Sequence, residues 1–159
     1  MKAMFAPLRE LGGFQEIRSR MRTNKGLILV TGCIDSQKAH FIAGLGEGMP
    51  VRVIVAPNDL RAKEIYENYR VFDRNALLFP AKDFIFFQAD VHSNLLEQQR
   101  IGVWKALAEG RDFTVITTVT AFMSRQMPFK AWKEAITKLA PGDVLDLADG
   151  KQRLVELGY

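Results

Sequence analysis

The sequence predicts an α/β fold in which a parallel sheet carries helices on both faces. Three observations lead there. Short apolar runs recur along the chain, segments with an apolar period of three to four residues separate them, and the first run leads into a turn with the register of a phosphate-binding loop. A parallel strand pair needs a long crossover, and strands alternating with helices supply one.

Taken in order, Leu8 to Arg22 mixes apolar and charged residues at helical spacing, and Arg18, Arg20, Arg22 and Lys25 near its end suit the negative pole of a helix. Gly12 and Gly13 weaken that helix. Leu27, Ile28, Leu29 and Val30 form a continuous apolar run, expected to be a first strand covered on both faces. After the turn from Thr31 to Ser36, Gln37 to Leu45 reads as a helix closed by Gly44, Gly46 and Gly48 with Pro50 beyond. Val51, Val53, Ile54 and Val55 make a second strand. Asn58 and Asp59 open a helix that places Ala62, Ile65, Tyr66, Tyr69 and Phe72 on one face, with capping the favoured role for Asn58. Ala76 to Phe79 give a third strand. Pro80 to Val91 lacks a clear period, and its Phe84, Phe86 and Phe87 are expected to pack the connection onto the sheet. Leu96, Arg100, Val103, Trp104, Leu107 and Ala108 then mark a helix ending at Gly110, and Phe113 to Thr118 a fourth strand.

The tail differs in kind. Phe129, Trp132, Ile136 and Leu139 form a helical stripe, Pro141 to Asp143 a turn, Val144 to Leu147 a short strand, and Lys151 to Leu157 a helix. The expected organisation is a first domain over 1–126 and, over 127–159, the beginning of a second, small α+β domain belonging to a longer protein. Trp104 and Trp132 are expected in the core, and Cys33 as a small buried filler.

Composition narrows the function classes. With 159 residues, 48% hydrophobic and 25% charged, the chain suits a globular domain with a sizeable core. The longest apolar runs are too short to span a bilayer and no signal-peptide core opens the chain, so no membrane partner and a cytoplasmic location are expected. A lone cysteine excludes an internal disulfide, and Cys33, His40 and His92 lack metal-ligand spacing, so no metal site is expected. The net charge of +4 permits nucleic-acid contact without requiring it.

The residues that carry the functional argument are Gly32, Cys33, Ile34, Asp35, Ser36, Gln37, Lys38 and Ala39. They follow an apolar run and precede a helix, the setting of a Walker A loop, G-x-x-x-x-G-K-[ST]. Gly32 and Lys38 match that pattern. Gln37 replaces the second glycine, and its side chain hinders the close backbone approach that cradles phosphates. Ala39 replaces the hydroxyl residue that would ligate Mg²⁺. The loop is therefore read as degenerate, with no catalytic residue, and Lys38 as a solvated or ion-paired lysine. Arg18, Arg20, Arg22, Lys25 and Asn58 remain weak candidates for nucleic-acid contact.

The order of several segments adds to this reading. Val30 to His40, Val55 to Ala62, Leu78 to Pro80 with the aromatic stretch after it, Glu97 to Arg100, and Val115 to Arg125 resemble the UvrB-like amino-terminal module of bacterial transcription-repair coupling factors (Mfd). Pro141 to Leu147 and Leu154 to Tyr159 look like the entry to that family's second domain. The resemblance implies a P-loop NTPase and helicase-like, RecA-like fold of the UvrB domain 1 type whose phosphate loop has decayed. It implies that UvrA is a partner of the complete module. It also implies that RNA polymerase and DNA are met by the full-length protein, whose ATP and magnesium sites lie in motor domains elsewhere in the chain. No cofactor is expected in this segment, and damage probing is not expected, because Lys82 to Val91 is too short for a long probing hairpin. Two other readings compete: an active P-loop NTPase or helicase domain, and a nucleic-acid module acting through the basic amino-terminal helix.

Overall fold

The computed structural model describes residues 2–23, 26–81, 90–136, 140–142, 144 and 146–156. The chain forms two compact units, Met1–Ser124 and Arg125–Tyr159.

The first unit is built on three parallel strands: β1 (Val51–Ala56), β2 (Ala76–Phe79) and β3 (Phe113–Thr118). Their order is β1-β3-β2, so the last strand in sequence enters between the first two. Val51 pairs with Phe113 through to Ala56 with Thr118, and Ala76 pairs with Thr114 through to Phe79 with Thr117. The crossovers are α4 (Asp59–Tyr69), from β1 to β2, and α5 (Asp90–Ala108), from β2 to β3. The helical face expected on α4 is real, with Ala62 and Tyr69 buried and Ile65, Tyr66 and Phe72 packed against the core. Asn58 caps this helix, its side-chain oxygen accepting the Arg61 amide at 2.9 Å.

Before β1 come α1 (Ala6–Arg9), preceded by a 3₁₀ turn (Lys2–Phe5), then α2 (Phe14–Thr23) and α3 (Asp35–Leu45). The single helix expected from Leu8 to Arg22 is broken at the glycine pair, where Gly13 takes φ +84°, a conformation glycine adopts without penalty. The broken helix folds back on α3. Phe5, Leu8 and Phe14 are buried in the same cluster as Ala39, Ala43 and Leu45. The His40 ring stacks on Phe5 and Phe72 and its Nε2 lies 2.7 Å from the Met4 carbonyl.

Position β3 owes its place to burial on both faces, and it carries polar residues into the core only with partners. Thr114 Oγ1 donates to Asp73 at 2.7 Å and lies 3.4 Å from the Tyr69 hydroxyl; Asp73 also pairs with Arg52 at 3.0 Å. Thr117 Oγ1 donates to the Phe79 carbonyl at 2.9 Å. Buried polar groups without such bonds would cost on the order of 1–3 kcal/mol each. Burial pushes the Tyr69 phenol above its ordinary pKa, so it stays neutral.

Several expectations are corrected. Leu27 to Val30 forms no strand and pairs with none among the described residues; Leu27 is 99% and Leu29 84% exposed. A continuous apolar run is compatible with a strand buried on both faces only where neighbours supply both ladders, and the described residues supply neither. Helix α3 starts at Asp35 rather than Gln37, and α5 already at Asp90, inside the stretch expected to be irregular. Cys33, Trp104 and Trp132 are half-buried rather than enclosed. Phe84, Phe86 and Phe87 lie outside the described residues.

In the second unit, α7 (Phe129–Ala135) and α8 (Leu147–Glu156) are helical. The strand expected from Val144 to Leu147 does not form at its described residues: Leu147 opens α8, which therefore begins earlier than Lys151. Asp146 explains this locally, its side chain accepting the amides of Ala148 at 2.7 Å and Asp149 at 3.3 Å as an N-cap does. Between β3 and this unit, α6 (Val119–Met123) is capped by Thr118, whose hydroxyl accepts the Ala121 amide at 3.2 Å.

Candidate functional site

In an open parallel sheet the carboxyl ends of the strands, with the helix starts that follow them, form the edge where ligands bind. The carboxyl ends of β1 and β3 lie side by side here, Ala56 pairing with Thr118, and α4 starts just beyond β1. Thr118 Oγ1 lies 3.4 Å from Asp59 in the first turn of α4. The phosphate-loop-like turn reaches this edge through side chains.

Its backbone begins with Gly32 at φ +84°, and Ile34 holds the N-cap position of α3 in an extended conformation. Isoleucine has no side-chain acceptor, and the Gln37 amide bonds instead to the Ile34 carbonyl at 3.0 Å. Asp35, Ser36, Gln37 and Lys38 thus form the first turn of the helix. Asp35 suits that place, since a carboxylate is favoured at the positive pole.

Asp35 is also the centre of an ion cluster. Its Oδ1 takes Lys38 Nζ at 2.7 Å and Arg61 Nη2 of α4 at 2.7 Å, and Arg61 Nη1 reaches Glu64 at 2.7 Å. Hydrogen bonds from Lys38 and Arg61 hold the Asp35 carboxyl below the usual carboxylate range, and Glu64 with Asp35 raises the Arg61 guanidinium. Two cations face two carboxylates, so the cluster offers no net positive charge to an anion. Ala39 faces the other way and is 6% exposed, inside the apolar cluster. Where a nucleotide-binding loop presents a hydroxyl to a metal ion, this loop buries a methyl group.

The weaker candidates do not form one group: Arg18 and Arg22 lie together on α2, apart from Arg20 and Asn58. Arg18 is held by Glu47 at 3.0 Å, while Arg20 pairs with Glu16 at 2.7 Å along the exposed side of α2. Arg22 is exposed, and Lys25 lies outside the described residues. Asn58 is engaged as a helix cap. Sequence reading missed Arg61, whose link to the loop spans two helices that only folding brings together. It also missed Arg100 as a buried charge. Arg100 is 6% exposed, donates to the Pro80 carbonyl and lies over the Phe79 ring at 4.1 Å, joining α5 to the end of β2; burial lowers its pKa. An arginine on an otherwise apolar helical stripe was the available signal.

Comparison with known proteins adds a second line. The chain is 30% identical over 150 residues to UvrABC system protein B of Vibrio parahaemolyticus, an alignment covering 84% of this chain and 21% of that protein. This chain is similar to UvrABC system protein B. The same protein from Ralstonia nicotianae is 27% identical over 150 residues, and that from Aliivibrio fischeri 28% over 122 residues. The UvrB-like chain spans about a fifth of the length of these curated relatives, 18–21%. No family model matches it. The UvrB-like similarity and the parallel α/β architecture agree on the fold. Among the described residues of this UvrB-like module, no helix is long and apolar enough to cross a membrane.

Proposed function

We propose that this chain is a non-catalytic UvrB-like module of a transcription-repair coupling factor, serving nucleotide excision repair through protein contacts, with UvrA as its partner. In this reading the whole protein is cytoplasmic, displaces RNA polymerase stalled at DNA lesions by ATP-driven translocation in other domains, and recruits UvrA through the complete module. The similarity to UvrABC system protein B supports the excision-repair setting. The order and spacing of the segments from Val30 to Arg125 favour the coupling-factor branch.

One observation carries the absence of catalysis: Lys38, the side chain that would meet a phosphate, is bound to Asp35 of its own loop, while Ala39 is buried. A phosphate entering the loop would have to displace a carboxylate already satisfied by two cations, at a loop that has no metal ligand and no second glycine. The turn survives as a connection between the amino-terminal helices and the sheet.

Calorimetric titration of the chain with ATP and Mg²⁺, alongside a hydrolysis assay and a pull-down with purified UvrA, tests this. Expected are no turnover, no Mg²⁺-dependent ATP binding in the micromolar range, and only weak UvrA retention, because the partner contact belongs to the complete module. Micromolar Mg²⁺-dependent binding with turnover lost in Lys38→Ala would instead establish an active NTPase.

A further inference from the structure

The sequence suggested a row of cations at the end of the amino-terminal helix; the structure rearranges it into a cleft. A cavity of about 490 Å³ is lined by Arg9, Gln15, Arg18, Ser19, Arg22 and Thr23. Every lining side chain carries a hydrogen-bonding group, and three of the six are guanidiniums. Arg20, in the same sequence run, points elsewhere and pairs with Glu16.

The charges are unbalanced. Glu47, in the turn after α3, is the carboxylate that faces this cluster: Arg18 Nη2 lies 3.0 Å from its Oε2 and Arg9 Nη2 3.6 Å from the same oxygen. Arg22 Nη2 comes close to Gly48, the next residue, and has no ion-pair partner among the described residues. Among the described residues, three guanidiniums meet one carboxylate here, an excess of two positive charges. Part of this arrangement serves the fold, because Arg18 also donates to the Glu47 carbonyl at 3.4 Å, where cations near a helix end are favoured. That role accounts for Arg18. It leaves Arg9 and Arg22, both largely exposed, over-supplied with donors.

The shape selects among anions. Gln15, Ser19 and Thr23 recur every four residues, as do Arg18 and Arg22, so the polar lining runs along one stripe of α2 for roughly 12 Å at 1.5 Å per residue. A stripe of that length suits a series of phosphates better than a single ion. Among the described residues no aromatic side chain lines it to offer a platform for stacking bases. We propose that this cleft binds the phosphodiester backbone of a nucleic acid, without reading sequence, with Arg9 and Arg22 as the phosphate contacts. The proposal is independent of the decayed phosphate loop and of UvrA contact.

The test is fluorescence anisotropy of the 159-residue chain with a short labelled DNA duplex over a range of salt concentrations. Binding is expected at low salt, indifferent to base sequence. Arg9→Ala/Arg22→Ala should weaken it by on the order of tenfold and lower the slope of log affinity against log salt by about two. Arg111→Ala, which removes an exposed arginine paired with Glu109 outside the cleft, should leave binding within about twofold. Arg22→Ala alone, with a slope lower by about one, carries the test if the double variant unfolds. No binding by the unaltered chain at low salt, equal losses in Arg111→Ala and the cleft variants, or displacement of DNA by polyglutamate as readily as by unlabelled DNA would each overturn the proposal. Competition by pyrophosphate at matched phosphate concentration would reassign the cleft to a single-ion site and overturn it too.

Discussion

Asp35 decides the chemistry of the loop, and its behaviour follows from its neighbours. Lys38 and Arg61 both donate to one carboxylate oxygen, which keeps the acid ionised well below its ordinary range. A group whose folded pKa is depressed contributes stability above its unfolded value, and loses it as pH falls through the folded value. The contacts of Asp35 with Lys38 and Arg61 are therefore complete at and above the ordinary carboxylate range and are lost only as pH falls below it. Being exposed, its ion pairs add little to folding; their effect is to occupy Lys38. Asp35→Asn should leave the unfolding midpoint nearly unchanged and release Lys38, while Arg61 stays paired with Glu64. A rise in pyrophosphate affinity of severalfold, read by calorimetry at neutral pH and abolished by adding Lys38→Ala, is the expected outcome. Unchanged affinity would show that Asp35 does not mask the lysine.

At the scale of elements, the amino-terminal helices are held to α3 by a seat that only glycine leaves open. A Cβ on Gly44 would come within 2.4 Å of Leu8 Cδ1 and 3.1 Å of Phe14 Cζ, two of the side chains that dock α1 and α2. These helices are short, and short helices draw their stability from packing rather than propensity. Gly44→Val should therefore release residues 2–23 from α3 while the sheet remains. Hydrogen exchange should show lost protection confined to α1 and α2, with a stability cost of about 1–3 kcal/mol from overpacking. Gly44→Ala should be milder, because the end of a leucine side chain can turn aside. Protection unchanged in Gly44→Val would mean that Leu8 and Phe14 do not seat there.

For the molecule as a whole, stability is concentrated in β3 and what packs around it. Ile116 is fully enclosed at the centre of the three strands, and Ile116→Ala should cost about 2–5 kcal/mol in chemical denaturation. Leu29, apolar in the same way and expected at the sequence level to be equally central, is mostly exposed; Leu29→Ala should change stability by no more than about 0.5 kcal/mol. This contrast is the sharpest check on the architecture. Comparable costs at the two sites would show that the Leu27–Val30 run enters the sheet. Val51, Val53 and Val55 are exposed along one side of β1, whose strand neighbour among the described residues is β3.

Much of this was legible from local chemistry. The crossover helices and the strands at 51–55, 76–79 and 113–118 followed from periodicity, because the pattern that buries an apolar face is written in consecutive residues. The Asn58 cap was legible for the same reason, whereas Gly12 and Gly13 only weakened a helix that the structure breaks there. The replacement of the second glycine by Gln37 and of the hydroxyl residue by Ala39 stands in the sequence itself. Tertiary structure alone decided that Leu27 to Val30 stays out of the sheet, because a strand exists only where another strand offers its hydrogen bonds. It alone joined Asp35 to Arg61 and gathered Arg9, Arg18 and Arg22 around Glu47. Charges from separate helices meet only after the apolar faces between them have packed, and no local pattern records which ones will.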